Sequence, residues 1–146
     1  MSRRMSVSMT LDAVRNQTKT VTRRHADSWK HLRPGDRLTL IEKGMGLPKG
    51  AKQVVVCEVE IVDVRVERID MVSPREVQRE GLWPTALVAT DNPSSGRAVA
   101  VCEWFMRFWL DAHGYRSASI DDGFCDIECR RIEWRYLPAP VPGDGE

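Results

Sequence analysis

The stretch from Gln53 to Ile69 restricts the fold more than any other part of the chain. Val55, Cys57, Val59 and Ile61 alternate with Val54, Val56, Glu58 and Glu60; Val62, Val64 and Val66 then alternate with Asp63, Arg65 and Glu67. A period of two marks a β-strand with one face on a core. The apolar set changes parity at Ile61–Val62, and a one-residue slip sends every later side chain to the opposite face. A long strand with such a slip predicts a bulge or corner, as a barrel wall requires.

The flanking segments fit a small α+β unit. Arg33-Pro34-Gly35-Asp36 predicts a tight turn. Strand-like Arg37-Leu38-Thr39-Leu40-Ile41-Glu42 follows, with Leu38 and Leu40 on one face, and residues 43–52, rich in Gly and Pro, read as a loop. Phe124 to Trp134 reads as a closing strand. A short helix is expected over about residues 6–16, where Met9, Leu11, Ala13 and Val14 supply an apolar side and Ser6 or Ser8 an N-cap.

Ser73-Pro74-Arg75-Glu76 has the form of a helix start, with Ser73 as N-cap, Pro74 as first residue and Glu76 completing a capping box. Gly81 ends that helix, which leaves Glu80 at a last turn where the helix dipole disfavours a carboxylate. Residues 82–97 read as a long Pro/Ser-rich loop. Val101, Cys102, Phe105, Phe108, Trp109 and Ala112 then fall at helical spacing over residues 98–113, before Gly114. The expected fold class is α+β: a mixed β-barrel with a short N-terminal helix, a short mid-chain helix and one longer packing helix. Residues 1–136 form the domain, and the Pro/Gly-rich residues 137–146 a flexible tail.

Composition excludes several classes. No apolar run has the length of a membrane span, and the basic start lacks the apolar stretch of a secretory signal; the expectation is a soluble, cytoplasmic protein. Cys57, Cys102, Cys125 and Cys129 contain no C-x-x-C pair, and His25, His31 and His113 are scattered, so neither a metal nor a cofactor is expected. Asp121-Asp122 reads as a solvated turn. Residues 1–52 hold 12 Lys and Arg against 4 Asp and Glu, whereas residues 53–146 hold 10 against 17. Either the first half forms a basic face that attracts phosphate, or the halves interleave and cancel.

Chemistry concentrates in Lys19-Thr20-Val21-Thr22-Arg23-Arg24. A buried lysine can act as a base, a neighbouring threonine can become a nucleophile, and arginine forks suit phosphates and carbonyls. Lys19 and Thr22 are three apart, so on a flat strand they point to opposite faces and converge only if the chain turns.

The segment Asn16 to Arg24, the turn Arg33 to Leu38 with Glu42, the strand Val59 to Ile69, the pair Glu80-Gly81, Trp104 to Gly114 and Phe124 to Trp134 together resemble the ASCH family, in the style of its bacteriophage and bacterial members. Asn16-Gln17-Thr18 stands where the family has a glycine-containing turn. The resemblance implies a PUA-like barrel with a pocket at one end, and RNA, DNA or a modified base as partner. Some small ASCH proteins are amidohydrolases that cleave the amide of N4-acetylated cytidine with a Lys, a Thr and a Glu. By motif position these correspond to Lys19, Thr22 and Glu80, with Arg24 as a further pocket residue.

Two functional expectations follow. The first is a binding module for a nucleobase or nucleic acid. In it Lys19, Thr22 and Glu80 read the base edge, Arg23, Arg24 and Thr20 contact the ligand or its phosphate, and Trp29 or Trp83 stacks on the base. The second is a small amidohydrolase using Lys19, Thr22 and Glu80.

Overall fold

The computed structural model describes residues 3–44, 47–82 and 96–139 of the chain. The strands are β1 (Arg3–Ser6), β2 (Val21–His25), β3 (Arg37–Ile41), β4 (Val55–Arg68) and β5 (Glu128–Tyr136). The helices are α1 (Leu11–Arg15), α2 (Pro74–Arg79) and α3 (Gly96–Ala112), with single 3-10 turns at Ser8–Thr10 and Ile69–Met71.

The five strands form one curled, half-barrel sheet in the order β1-β3-β4-β5-β2. β1 runs parallel to β3, and the other pairs are antiparallel. The expected parity change is a bulge: Ile61 pairs with Trp134 and Asp63 with Glu133, so Val62 is the extra residue. Beyond it the charged side of β4 faces partners, Glu67 reaching Arg23 and Asp63 reaching Arg131, while Val62 and Val66 stay exposed.

Two apolar clusters flank the sheet. Met5, Val7, Val14, Leu38, Leu40, Val59, Ile61, Ile132 and Trp134 fill the concave interior with Leu32. Val77 of α2 packs with Val101, Phe105, Met106, Trp109 and Leu110 of α3 and with Cys125 and Cys129 on the other side. Cys125 and Cys129 are thus buried free thiols, and the described residues contain no cluster of metal-ligating side chains.

Three expectations need correction. The helix expected over residues 6–16 is only α1 behind a 3-10 turn, and the residues before it are strand β1. In Arg3–Ser6 only Met5 is buried, so no alternation was legible. The closing strand starts at Glu128, not Phe124, because Asp121 and Phe124 close a turn and the Cys125 amide donates to the Asp70 carboxylate. The capping box is half built: Ser73 Oγ accepts from the Glu76 amide, but the Glu76 carboxylate turns away to Arg23, Arg79 and Arg131.

The barrel expected from sequence is not closed by a ladder among the described residues. β1 and β2 are the two edges, and Arg24 of β2 spans the gap with a 2.7 Å hydrogen bond from Nη2 to the Ser6 carbonyl. Among the described residues no helix is long and apolar enough to cross a membrane.

Candidate functional site

A cavity of about 270 Å³ opens in this seam. Ser6 to Thr10 line it from the β1 side, Lys19, Thr22, Arg23 and Arg24 from the β2 side, Glu80 and Leu82 from the end of α2, and Phe108, Ala112 and His113 from α3. Sequence reasoning placed the Lys, Thr and Glu here by motif position, and all three are buried on the same cavity.

Lys19 and Thr22 share a wall because Lys19 precedes the strand. Gln17 takes a positive φ of 62°, so the chain makes its left-handed turn without the glycine. Asn16 Oδ1 steadies it by accepting from the amide and hydroxyl of Thr18. Three elements then grip the next residues. The Lys19 amide donates to Ala13 of α1 and the Thr20 amide to Arg79 of α2. The Lys19 carbonyl accepts from Trp134 Nε1 and the Tyr136 hydroxyl, both on β5. From Val21 onward the strand alternates, and Thr22 pairs with Ile132 of the interior cluster.

Glu80 arrives from the other direction. The Lys19 Nζ donates to its carbonyl at 2.7 Å and to Oε1 at 3.4 Å, and Arg23 Nη1 donates to Oε2 at 2.9 Å. The carboxylate that the helix dipole disfavours is thereby held by two cations. Gly81 makes the approach feasible: at φ +80° it passes so close that a Cβ there would lie 2.5 Å from the Ala13 Cβ and 3.2 Å from the Lys19 Cβ.

The charge states follow from burial. Desolvation pulls the Lys19 ammonium down from 10.5 to about 8; Glu80 opposes this and Arg24 reinforces it. Burial also lowers Arg24, against the pull of Glu80. Glu76 behaves oppositely: burial works to raise it, yet hydrogen bonds from Arg131 and the charge of Arg23 hold it down to about 2.

Other sequence candidates fall elsewhere. Arg23 borders the cavity, but its guanidinium is committed to Glu67, Glu76 and Glu80, which makes it an anchor for Glu80 and not a phosphate contact. Thr20 accepts from Arg79 Nε at 3.0 Å and does not line the cavity. Trp29 packs on the interior cluster with the Arg3 guanidinium 4.4 Å over its ring, away from the cavity. Trp83 lies outside the described residues, as does most of the loop expected over 82–97. Two cations of the basic first half, Lys19 and Arg23, meet carboxylates of the second half inside this network.

The cavity residues missed by sequence reasoning are Ser6 to Thr10, Leu82, Phe108, Ala112 and His113. Position alone brings the first group to the seam. His113 follows the helix end and carried no signal beyond being a lone histidine.

An α+β half-barrel whose edge strands flank a cavity defines the class of this chain. Among solved structures it is similar to protein EF3133 from Enterococcus faecalis V583, a DUF984 protein, with a TM-score of 0.54 and 12% identity over 94% of this chain and 80% of that one. That likeness shows a shared fold. A second similar structure is an ASCH domain from Lactobacillus crispatus JV V101, with a TM-score of 0.49 and 12% identity over 88% of this chain and 70% of that one. No family model matches the sequence, and no curated protein does.

Proposed function

We propose that the seam cavity binds a single nucleobase or nucleoside, free or presented by an RNA or DNA strand. One observation carries this reading: a buried ammonium, a buried hydroxyl and a buried carboxylate line one cavity of about 270 Å³. That volume is just below the usual range of small-molecule sites and suits one base-sized ring, not a length of strand. Lys19, Thr22 and Arg24 offer donors to ring carbonyls and ring nitrogens, and Phe108, Val7 and Leu82 supply apolar walls. The resemblance of the motifs to the ASCH family supports the same ligand class.

The test is calorimetric titration with cytidine, uridine, adenosine, guanosine and N4-acetylcytidine. At least one nucleoside should bind, and Thr22→Ala, which removes one hydrogen-bonding group, should weaken it by roughly tenfold. Failure of every nucleoside to bind the folded protein would overturn the reading.

A second reading, hydrolysis of an N4-acylcytidine, is favoured by the depressed Lys19. An ammonium at about 8 leaves roughly one molecule in ten neutral at pH 7. A neutral Lys19 would take the Thr22 proton as Oγ1 bonds to the acyl carbon, then return a proton to the amine as the C–N bond breaks and cytidine leaves. Water would cleave the acyl-threonine and restore the hydroxyl, with Arg24 supporting the oxyanion. Binding stands first because both hydrogen bonds of the Lys19 ammonium go to Glu80, so the lysine must leave that partner to serve as base. Release of cytidine from N4-acetylcytidine, absent in Thr22→Ala, would put hydrolysis first; release that persists in Thr22→Ala would eliminate this mechanism.

A further inference from the structure

His113 stands at the C-terminal end of α3, on the cavity wall. Its Nδ1 lies 2.9 Å from the Trp109 carbonyl. A carbonyl only accepts, so Nδ1 carries the hydrogen, and in the neutral ring Nε2 keeps its lone pair. The ring stacks on Trp109, with centroids 4.2 Å apart and planes 16° from parallel. Trp109 in turn is fixed to β2 by a 3.0 Å hydrogen bond from Nε1 to the Arg23 carbonyl. Both the orientation and the tautomer of the imidazole are therefore set by groups outside the cavity. Burial lowers its pKa, with Arg24 and His25 acting the same way and the Trp109 carbonyl and Glu80 against it, so the neutral ring prevails at physiological pH.

The rest of the cavity lacks a comparable group. Lys19 and Arg24 only donate. Both oxygens of Glu80 are engaged, Oε1 by Lys19 and Oε2 by Arg23. Thr22 and the hydroxyls of Ser6, Ser8 and Thr10 can turn either way. Apart from the Glu80 carboxylate, which is already bonded to two cations, the His113 imidazole is the one described side chain lining the cavity whose fixed tautomer presents an acceptor that cannot also donate.

We propose that His113 is a specificity-determining, ligand-contacting residue: its Nε2 accepts a hydrogen bond from an N–H group of the bound molecule, an exocyclic amine or an amide N–H, and rejects a carbonyl oxygen at that place. This rests on the reading of the cavity as a nucleobase site. Two lone pairs facing each other leave a buried acceptor unsatisfied, and sites built for such hydrogen bonds discriminate strongly for that reason.

The experiment compares matched pairs, cytidine against uridine and adenosine against inosine, by calorimetry on three proteins. The wild type should prefer the amino member of at least one pair by about tenfold or more. His113→Phe, which keeps a flat ring against Trp109 but has no acceptor, should lose that preference while still binding. His113→Gln, whose side-chain carbonyl can stand near the Nε2 position, should recover part of it. Binding without amino preference in the wild type, or a preference unchanged in His113→Phe, overturns the role of His113 and leaves the cavity reading intact. Absence of binding by all four nucleosides overturns the role of His113, and defeats the cavity reading as well if guanosine and N4-acetylcytidine also fail to bind. Long-range 1H–15N correlation on the free protein adds a ligand-independent check: the Nδ1–H tautomer is expected at His113, and an Nε2–H tautomer overturns the proposal.

Discussion

Replacing Gly81 by alanine should disrupt the domain at the point where α1, α2 and the lysine segment meet. Two costs add. Gly81 has φ +80°, a left-handed conformation that costs an L-residue about 1–2 kcal/mol. The new Cβ would also fall 2.5 Å from the Ala13 Cβ and 3.2 Å from the Lys19 Cβ, and overpacking of this kind costs about 1–3 kcal/mol. The sum is about 2–5 kcal/mol. Gly35 separates the two costs, since it has φ +92° but nothing within 4 Å of its missing Cβ, so Gly35→Ala should show only the first. Urea unfolding followed by circular dichroism reads both variants. With an m-value of roughly 1–3 kcal/mol/M, the midpoint for Gly81→Ala should fall by on the order of 1–2 M. A Gly81→Ala protein no less stable than Gly35→Ala would refute the claim that close packing, and not backbone conformation alone, fixes glycine beside Glu80.

Three further outcomes are expected. The folded Lys19 loses its proton near 8 and the unfolded one near 10.5, so the unfolded chain binds more protons between those values and stability rises with pH there. Relative to Lys19→Met, in which thiol and tyrosine contributions cancel, the rise should be on the order of 3 kcal/mol by urea unfolding at pH 7.5 and 10.5; a flat difference would contradict it. Glu76, held near 2 against an ordinary 4.5, contributes stability above 4.5 that is lost as pH falls toward 2. Glu76→Gln should accordingly cost roughly 2–3 kcal/mol at pH 7 and much less at pH 2, by the same assay. Ser73 Oγ caps α2 at the Glu76 amide, so Ser73→Ala should cost about 1 kcal/mol, readable as a small drop in the thermal midpoint.

Local signals in the sequence were reliable where local physics decides. The parity change at Ile61–Val62 appears as the bulge at Val62 because side-chain alternation is a property of the strand itself. Ser73, Pro74 and Gly81 mark the ends of α2 because caps and left-handed glycine act within a few residues. β1 escaped notice because its parallel pairing with β3 is a long-range event that leaves no pattern in Arg3–Ser6. The Glu76 carboxylate was misassigned for a related reason: a capping role is local, and three arginines brought in by β2, α2 and β5 outcompete it.

By itself the sequence determined the long bent strand, the ends of α2, the apolar stripe of the packing helix and which residue types could do chemistry. Tertiary structure alone decided which of them meet. It turned Lys19 toward Thr22 ahead of β2, brought Glu80 under two cations, tied the Arg23 guanidinium to carboxylates at the cavity edge, kept Thr20 and Trp29 off the cavity and placed His113 on its wall. The reason is one of range. Alternation and capping act over one to four residues, whereas Lys19 and Glu80 stand 61 positions apart, and only the packing of α2 against the segment before β2 brings them together.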